Sequence, residues 1–359
     1  MTTRHLVIMA AGTGGHVIPG LAVARGVGSR GWGGSWLGTP PGLGNRAVAP
    51  AGFFPGAIAF RGLRGKGALD TLTSGLRLLV AFWRCLVILR RRRPSAVLGM
   101  GGYVCFPGGM MAALLGKPLM LVNADASLLL SNKVLLPVAD RVAFGLPGDA
   151  ARTVKNALTT GNPVRDEIAS LPAPAERFAG RSGVLRLLVV GGSLGAKAIN
   201  DCVPQALALL PPAQRPHVTH QSGEAHAATL RDAYASAGVE ATVRPFIDDM
   251  ARELEACDVM ICRAGAVTVS ELCAAGVAAV LVPLIVSTTA HQRDNAAWLA
   301  SQGAGIHLPQ SELAPSRLAE LIAGLTREAL LSMATKARAL ALPKAAQRVA
   351  DEIEGLVAA

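Results

Sequence analysis

The chain has no Asp or Glu ahead of Asp70, no Asp-x-Asp, no Cys-x-x-Cys, and aromatic residues make up only 4% of its 359 positions. Each absence removes a class of function. The first glycine-rich turn, Gly12-x-Gly14-Gly15, lacks the glycine that a dinucleotide fingerprint needs further on. It also lacks the acidic residue about 20 positions later that completes a dinucleotide fingerprint. Without paired carboxylates there is no ready cage for a divalent ion bridging a diphosphate, so no metal is expected. The six cysteines, Cys85, Cys105, Cys202, Cys257, Cys262 and Cys273, are scattered; that spacing argues against a zinc site or a disulfide framework and fits a reducing cytoplasm. Few aromatics mean few stacking platforms for single-stranded nucleic acid, and no recognised binding module accompanies the arginines, so no nucleic-acid partner is expected. The first apolar run, Leu6 to Ala11, is too short for a signal peptide.

What is present describes a two-domain globular protein, 51% hydrophobic and 16% charged. The net charge of +11 is uneven: residues 1–161 hold 18 Lys and Arg against 4 Asp and Glu, and the remainder holds 17 against 20. A basic first half points to an anionic partner.

Along the chain, strand and helix signals alternate. Leu6 to Met9 reads as a strand, Ala10 to His16 as a glycine-rich turn and Val17 to Arg25 as a helix. His16, where turn meets helix, is the one side chain there able to exchange a proton near neutral pH. Ser35–Gly38 and Ala57–Phe60 read as further strands, and Arg61–Gly67 as a basic loop. From Leu69 to Arg93 the apolar residues Leu69, Leu72, Leu76, Leu79, Val80, Trp83 and Val87 recur at helical spacing, punctuated by Arg77, Arg84 and Arg90–Arg93. Two readings stand for that helix: a core-packing face with arginines in solvent, or an interfacial face against an anionic membrane. Arg77 and Arg84 interrupt it far short of the roughly 20 apolar residues a transmembrane span needs.

Ala96–Gly99 leads into a second glycine-rich turn, Gly99–Tyr103, then a helix and the strand Leu119–Val122, with Asn123, Ala124 and Asp125 just past its carboxyl end, where open α/β sheets bind ligands. Thr160 to Arg165 reads as a boundary. The second half repeats the pattern: Leu185–Val190, the turn Gly191–Ala196, strands at Val218–His220, Thr242–Ile247 and Val259–Cys262, and an Asp-started helix after Asp248-Asp249. Two such α/β units imply two Rossmann-like domains with parallel sheets facing across a cleft. The domains are expected at 1–161 and 162–335, with the helix of 336–359 packing back on the first.

The stretch Arg263 to Glu271 carries most chemistry. Backbone N–H groups at Ala266, Val267 and Thr268 would start a helix able to hold a diphosphate, and Glu271, about one turn in, can accept from two ribose hydroxyls. His291 and Gln292 follow a long apolar stretch and suit sugar hydroxyls.

The motifs Gly12-Thr13-Gly14-Gly15-His16, Gly99–Tyr103, Gly161–Arg165, Gly191-Gly192-Ser193, Phe246–Met250 and Ala266–Glu271 occur in an order that resembles the MurG family of bacterial glycosyltransferases nearly end to end. The resemblance implies an α/β GT-B fold. It implies transfer of N-acetylglucosamine (GlcNAc) from UDP-GlcNAc to lipid I, the undecaprenyl-diphosphate-linked MurNAc-pentapeptide, giving lipid II for peptidoglycan. It places Ile247 at the uracil and Glu271 at the ribose, and sets Ala266, Val267 and Thr268, with Ser193, at the phosphates, with Val269 and Ser270 continuing the same substrate-binding stretch. Gln292 with His291 falls at the GlcNAc, and Thr13, Gly14 and Gly15 close the site. Arg165 approaches the nucleotide, no cofactor is implied, and the acceptor lies against the basic first domain at the cytoplasmic face of the inner membrane. Other cell-wall and division proteins are candidate partners. Where the family commonly has His-Glu-Gln-Asn this chain has Val122-Asn123-Ala124-Asp125, so Asp125 aligns with the family's sugar-binding Asn, and Asn123 serves after a small shift. Leu284–Thr289 replaces the family's usual polar loop before His291.

The implied chemistry is an inverting displacement by the acceptor 4-hydroxyl, with His16 as first candidate for general base and Asp125 as its rival. A scaffold that senses nucleotide sugar without catalysis would keep the UDP site but would not need His16.

Overall fold

In a computed structural model the described residues are 4–11, 14–38, 54–57, 68–192, 195–284 and 290–358. Gly12, Thr13, the loop 61–67, Ser193, Leu194 and residues 285–289 lie outside them. The chain divides into two units, residues 1–163 with 344–359, and residues 164–343. The second break falls after Pro343, where Lys344 takes a positive φ of 60° and ends the path of helix Arg327–Ala339 before helix Ala345–Ala358 begins. The segment 336–359, expected as one helix, is therefore split between the units.

The first unit holds a seven-stranded sheet. Its strands are β1 (His5–Ala10), β2 (Gly33–Gly38), β3 (Phe54–Ala57), β4 (Ala96–Gly101), β5 (Leu119–Asn123), β6 (Arg141–Phe144) and β7 (Ala157–Thr159), ordered β3-β2-β1-β4-β5-β6-β7. Every pairing is parallel. Parallel strands are covered on both faces, which is why β1 is apolar from Leu6 to Ala10. Leu6, Ile8 and Ala10 point to one side, against helix Gly14–Gly28 and the C-terminal Val349 and Ile353. Val7 and Met9 point to the other, with Cys85, Leu89 and Leu121. Helix Ala345–Ala358 is fastened by Arg30 to Asp351 and Glu354 at 2.7 and 2.8 Å, and by Trp32 Nε1 donating to Glu354 at 3.1 Å.

The third strand lies earlier than the expected Ala57–Phe60. Register with β2, Ser35 to Phe54 through Gly38 to Ala57, sets it, and an edge position tolerates Pro55, which has no N–H to donate. The first helix begins at Gly14, so Gly14 and Gly15 form its opening turn.

The second unit repeats the order with β8 (Arg186–Val190), β9 (His217–Gln221), β10 (Thr242–Arg244), β11 (Val259–Cys262), β12 (Ala279–Leu281) and β13 (Ile306–His307), arranged β10-β9-β8-β11-β12-β13, again all parallel. In both sheets the order reverses beside the first strand of the unit, at β1/β4 and at β8/β11. Ligands of open α/β sheets bind beyond the carboxyl ends of strands at that switch, and all four glycine-bearing turns of the sequence reading follow β1, β4, β8 and β11.

The long helix runs Ala68–Arg92, but its orientation departs from the core-packing expectation. Ala81, Cys85 and Leu89 form the buried stripe. Leu76, Leu79, Val80 and Trp83 face outward, with Leu76 65% and Trp83 66% exposed. Among the described residues no helix is long and apolar enough to cross a membrane.

Candidate functional site

In the first unit, His16 occupies the third position of helix Gly14–Gly28 and is half-buried. Its ring lies against Gly101, whose φ is +113°. A Cβ there would stand 2.6 Å from His16 Nδ1, so only glycine lets the imidazole sit in place. Gly102, φ +89°, presses equally closely on the backbone of Ala11. Cys105 Sγ accepts from the Gly101 N–H at 3.2 Å and so pins this turn. Burial pushes its thiol up to about 12, keeping it protonated. The sequence reading had not singled out Cys105.

Asp125 lies on the loop after β5, half-buried. The loop is held by three amides. Asn123 Nδ2 donates to the carbonyls of Asp125 (2.8 Å) and Ser127 (3.0 Å), and its Oδ1 accepts from Leu129 N–H and Asn132 Nδ2. Asn162 Nδ2 reaches back 38 residues to the carbonyl of Ala124 at 2.9 Å. Asn123 is fully buried with both ends of its amide engaged, so as placed here it shapes the loop that presents Asp125 and offers nothing to a sugar.

In the second unit two turns meet at the β8/β11 switch. After β8 the chain passes Gly191 and Gly192, and Gly195, at φ +76°, lets helix Lys197–Ala208 start hard against the carbonyl of Ser222. Gln221 Nε2 donates to the Gly192 carbonyl at 3.2 Å. Behind it runs a buried chain of polar groups. Asn200 Nδ2 donates to Ser222 O (3.0 Å), which fixes Asn200 Oδ1 as acceptor from His220 Nε2–H (3.1 Å). Nδ1 of His220 is then the acceptor for Tyr234 OH at 2.8 Å. Burial lowers the His220 pKa to about 3, so the ring is neutral.

After β11, Gly265 begins helix Ala266–Ala275 with no side-chain cap. The first helical bond runs from Val269 N–H to Gly265 O at 2.9 Å, so the N–H groups of Ala266, Val267 and Thr268 precede it and are directed at whatever lies beyond the strand end. Val269 is a correction to the expected substrate contacts: its side chain is fully buried and its N–H is used within the helix. Asn295 Nδ2 donates to Ala264 O at 3.0 Å, tying the helix His291–Ser301, and with it His291 and Gln292, to this turn. Gln292 Oε1 accepts the N–H of Leu284 at 2.8 Å. At the far end, Arg177 and Arg338 donate to the last carbonyls, those of Ala274, Ala275 and Gly276. Cations there favour the helix dipole and anchor it.

Glu271, one turn into the helix, has only 15% of its side chain exposed and pairs with Arg165, whose Nε and Nη2 lie 3.0 and 2.9 Å from Oε1. Burial raises its pKa and Arg165 opposes the rise. Ile247 is buried whereas its neighbour Phe246 is 58% exposed. Asp249 accepts the N–H of Arg252 at 3.0 Å and starts helix Met250–Ala256, as the sequence predicts.

The chain matches the glycosyltransferase family 28 N-terminal domain over residues 6–144 and the C-terminal domain over residues 186–349. It is 66% identical to a protein of Methylibium petroleiphilum, covering 99% of each chain, and 59% identical to one of a Janthinobacterium species, again 99% of each. Both are named UDP-N-acetylglucosamine–N-acetylmuramyl-(pentapeptide) pyrophosphoryl-undecaprenol N-acetylglucosamine transferase. Among solved structures, MurG of Acinetobacter baumannii is 37% identical with a TM-score of 0.85 over 98% of this chain and 99% of that one. The calicheamicin glycosyltransferase CalG4, 18% identical with a TM-score of 0.68 over 100% and 99%, shares the fold.

Proposed function

The chain belongs to the MurG family of family 28 glycosyltransferases, and from that membership we propose that it transfers GlcNAc from UDP-GlcNAc to the MurNAc 4-hydroxyl of lipid I, giving lipid II. The observation that carries this reading is 66% identity over 99% of both chains to a transferase whose name states donor and acceptor. The architecture is GT-B, and the enzyme is a UDP-GlcNAc-dependent hexosyltransferase.

The second unit is the donor unit. The uncapped start of helix Ala266–Ala275 receives the diphosphate through the N–H groups of Ala266, Val267 and Thr268. The same dipole stabilises the UDP that departs when the glycosidic bond breaks. Ser193 is the side chain assigned to the phosphates with these groups, and Ser270 is a further donor contact. Glu271 accepts from the ribose hydroxyls, the segment at Ile247 borders the uracil, and Gln292 with His291 binds the GlcNAc. The first unit carries the acceptor. His16 takes the proton from the attacking hydroxyl, Asp125 is the alternative base on the neighbouring loop, and Thr13, Gly14 and Gly15 close over the donor.

Membrane docking belongs to the same unit. Helices Ala68–Arg92, Cys105–Leu114 and Leu130–Leu135 pack side by side. They expose Leu76, Leu79, Trp83, Leu114 and Leu130, the last 75% exposed, beside the exposed cations Arg77, Arg84 and Lys133. An apolar face rimmed by positive charge suits insertion among anionic headgroups, which supports peripheral attachment to a membrane; the cytoplasmic face of the inner membrane, with other cell-wall and division proteins as candidate partners, is the location this reading takes.

The test is transfer of radiolabel from UDP-GlcNAc to a short-chain lipid I analogue without added metal. Product equal in mass to the lipid II analogue is expected. A folded protein that binds UDP-GlcNAc but transfers nothing would overturn the enzyme in favour of a sensing scaffold.

A further inference from the structure

We propose that Arg165 is a positioning residue for ribose recognition, acting on the donor through Glu271 and not through the phosphates. The inference rests on the reading of Glu271 as the ribose contact. The guanidinium places two donors, Nε and Nη2, on the single oxygen Oε1 at 3.0 and 2.9 Å. One carboxylate oxygen thus takes both of these donors, and Oε2 is the oxygen left to accept from the two hydroxyls of a ribose. The arrangement answers a physical problem. A carboxylate this enclosed is driven toward its protonated form, which accepts hydrogen bonds poorly, and a guanidinium at contact distance keeps it ionised.

The backbone makes Arg165 a fixed support. It is the residue before helix Asp166–Ala169, its carbonyl accepts from Ile168 N–H and Ala169 N–H at 3.1 and 3.0 Å, and that helix packs on helix Ala266–Ala275. The two N–H groups held by Glu271 fix the guanidinium plane against the carboxylate, so a phosphate contact would have to come from the donors on its other edge.

Calorimetric titration with UDP and with 2′,3′-dideoxy-UDP separates these roles, using wild type, Arg165→Ala, Arg165→Lys and Glu271→Gln. Wild type is expected to prefer UDP by roughly ten- to a hundredfold, the range for hydrogen bonds to a charged group. Arg165→Ala and Glu271→Gln are expected to lose most of that preference while binding the dideoxy nucleotide as wild type does. Unchanged dideoxy binding also reports an intact fold. Arg165→Lys restores part of the preference, and takes the place of the alanine variant if that one fails to fold. Equal weakening of both nucleotides by Arg165→Ala would overturn the proposal in favour of a phosphate contact. A wild type that fails to distinguish the two nucleotides would instead remove Glu271 from the ribose, and the inference with it.

Discussion

The two units run the same strand order, with glycine turns at the same switch points, and put different chemistry there. In the first unit the β4 turn is shaped around a side chain: Gly101 and Gly102 make room for the His16 ring and the backbone of Ala11. In the second, the turns present backbone. Gly195 brings a helix start against Ser222, and Gly265 leaves the next helix without a side-chain cap. A side chain that titrates suits proton transfer, whereas fixed N–H dipoles suit an anion that is bound and released. The outer surfaces differ in the same sense. Large apolar side chains stand exposed along three helices of the first unit, while helix Ala266–Ala275 of the second is locked at its far end by two arginines. On the proposed assignment, one scaffold serves an acceptor side with an exposed apolar face and a donor side whose helix is tied at its far end.

The sharpest way to break this division is at His16. His16→Ala is expected to lower kcat by roughly 10²- to 10⁴-fold, the span of general-base catalysis, while UDP affinity stays put because the uracil, ribose and diphosphate contacts proposed above belong to the other unit. If turnover barely moves and Asp125→Asn produces the loss, the base belongs to the β5 loop. If UDP affinity falls with His16→Ala, the division of labour itself fails.

A second contrast concerns the exposed face. Leu79→Glu combined with Trp83→Glu is expected to weaken sedimentation with anionic vesicles by roughly two to four orders of magnitude, from roughly 1.5–3 kcal/mol per large side chain removed from apolar surroundings. Turnover of a short-chain, water-soluble acceptor should be unaffected. Unchanged vesicle binding would leave the patch without the role assigned to it. Arg77→Gln and Arg84→Gln should each give a smaller loss, about 1 kcal/mol near the surface, that fades as salt rises.

The sequence announces what is periodic or contiguous and hides what depends on distant partners. β1 and β11 were legible because a strand buried on both faces is an unbroken apolar run. β7 and β13, three and two residues long, carry too little pattern to detect. The extent of helix Ala68–Arg92 was legible, but not which face turns inward. Its large side chains outnumber what one face needs, and the buried stripe is made by the unremarkable Ala81 and Cys85 with Leu89. Glu271 and Gly265 were readable from their place after a strand. Asn123 looked like a sugar ligand because an amide on a loop past a strand offers the same donors to sugar or to backbone, and only the fold shows the backbone carbonyls taking them. Asn162 and Asn295 act on carbonyls 38 and 31 residues away, a relation with no local signal.

A contrast in stability tests whether the rigidity of the donor unit comes from its buried polar chain. His220 is neutral and enclosed, with its pKa lowered to about 3 by burial, while in the unfolded chain it returns to its ordinary 6.5. The unfolded state therefore binds a proton first as pH falls. Stability from this group is intact above pH 6.5 and drains away between 6.5 and about 3. From pH 7 to pH 5 the loss is about 2 kcal/mol. His5 and His307, also lowered by burial, contribute in the same direction, so the measurement is a difference. Urea unfolding at both pH values is compared between wild type and His220→Gln, which cannot charge. The variant is expected to be less stable at pH 7, because Tyr234 and Asn200 lose their fitted partner. It should also lose less on going to pH 5. Parallel pH dependence in the two proteins would mean that His220 titrates normally, and that the turn at Gly195 is held by packing and not by the chain of hydrogen bonds from Tyr234 to Ser222.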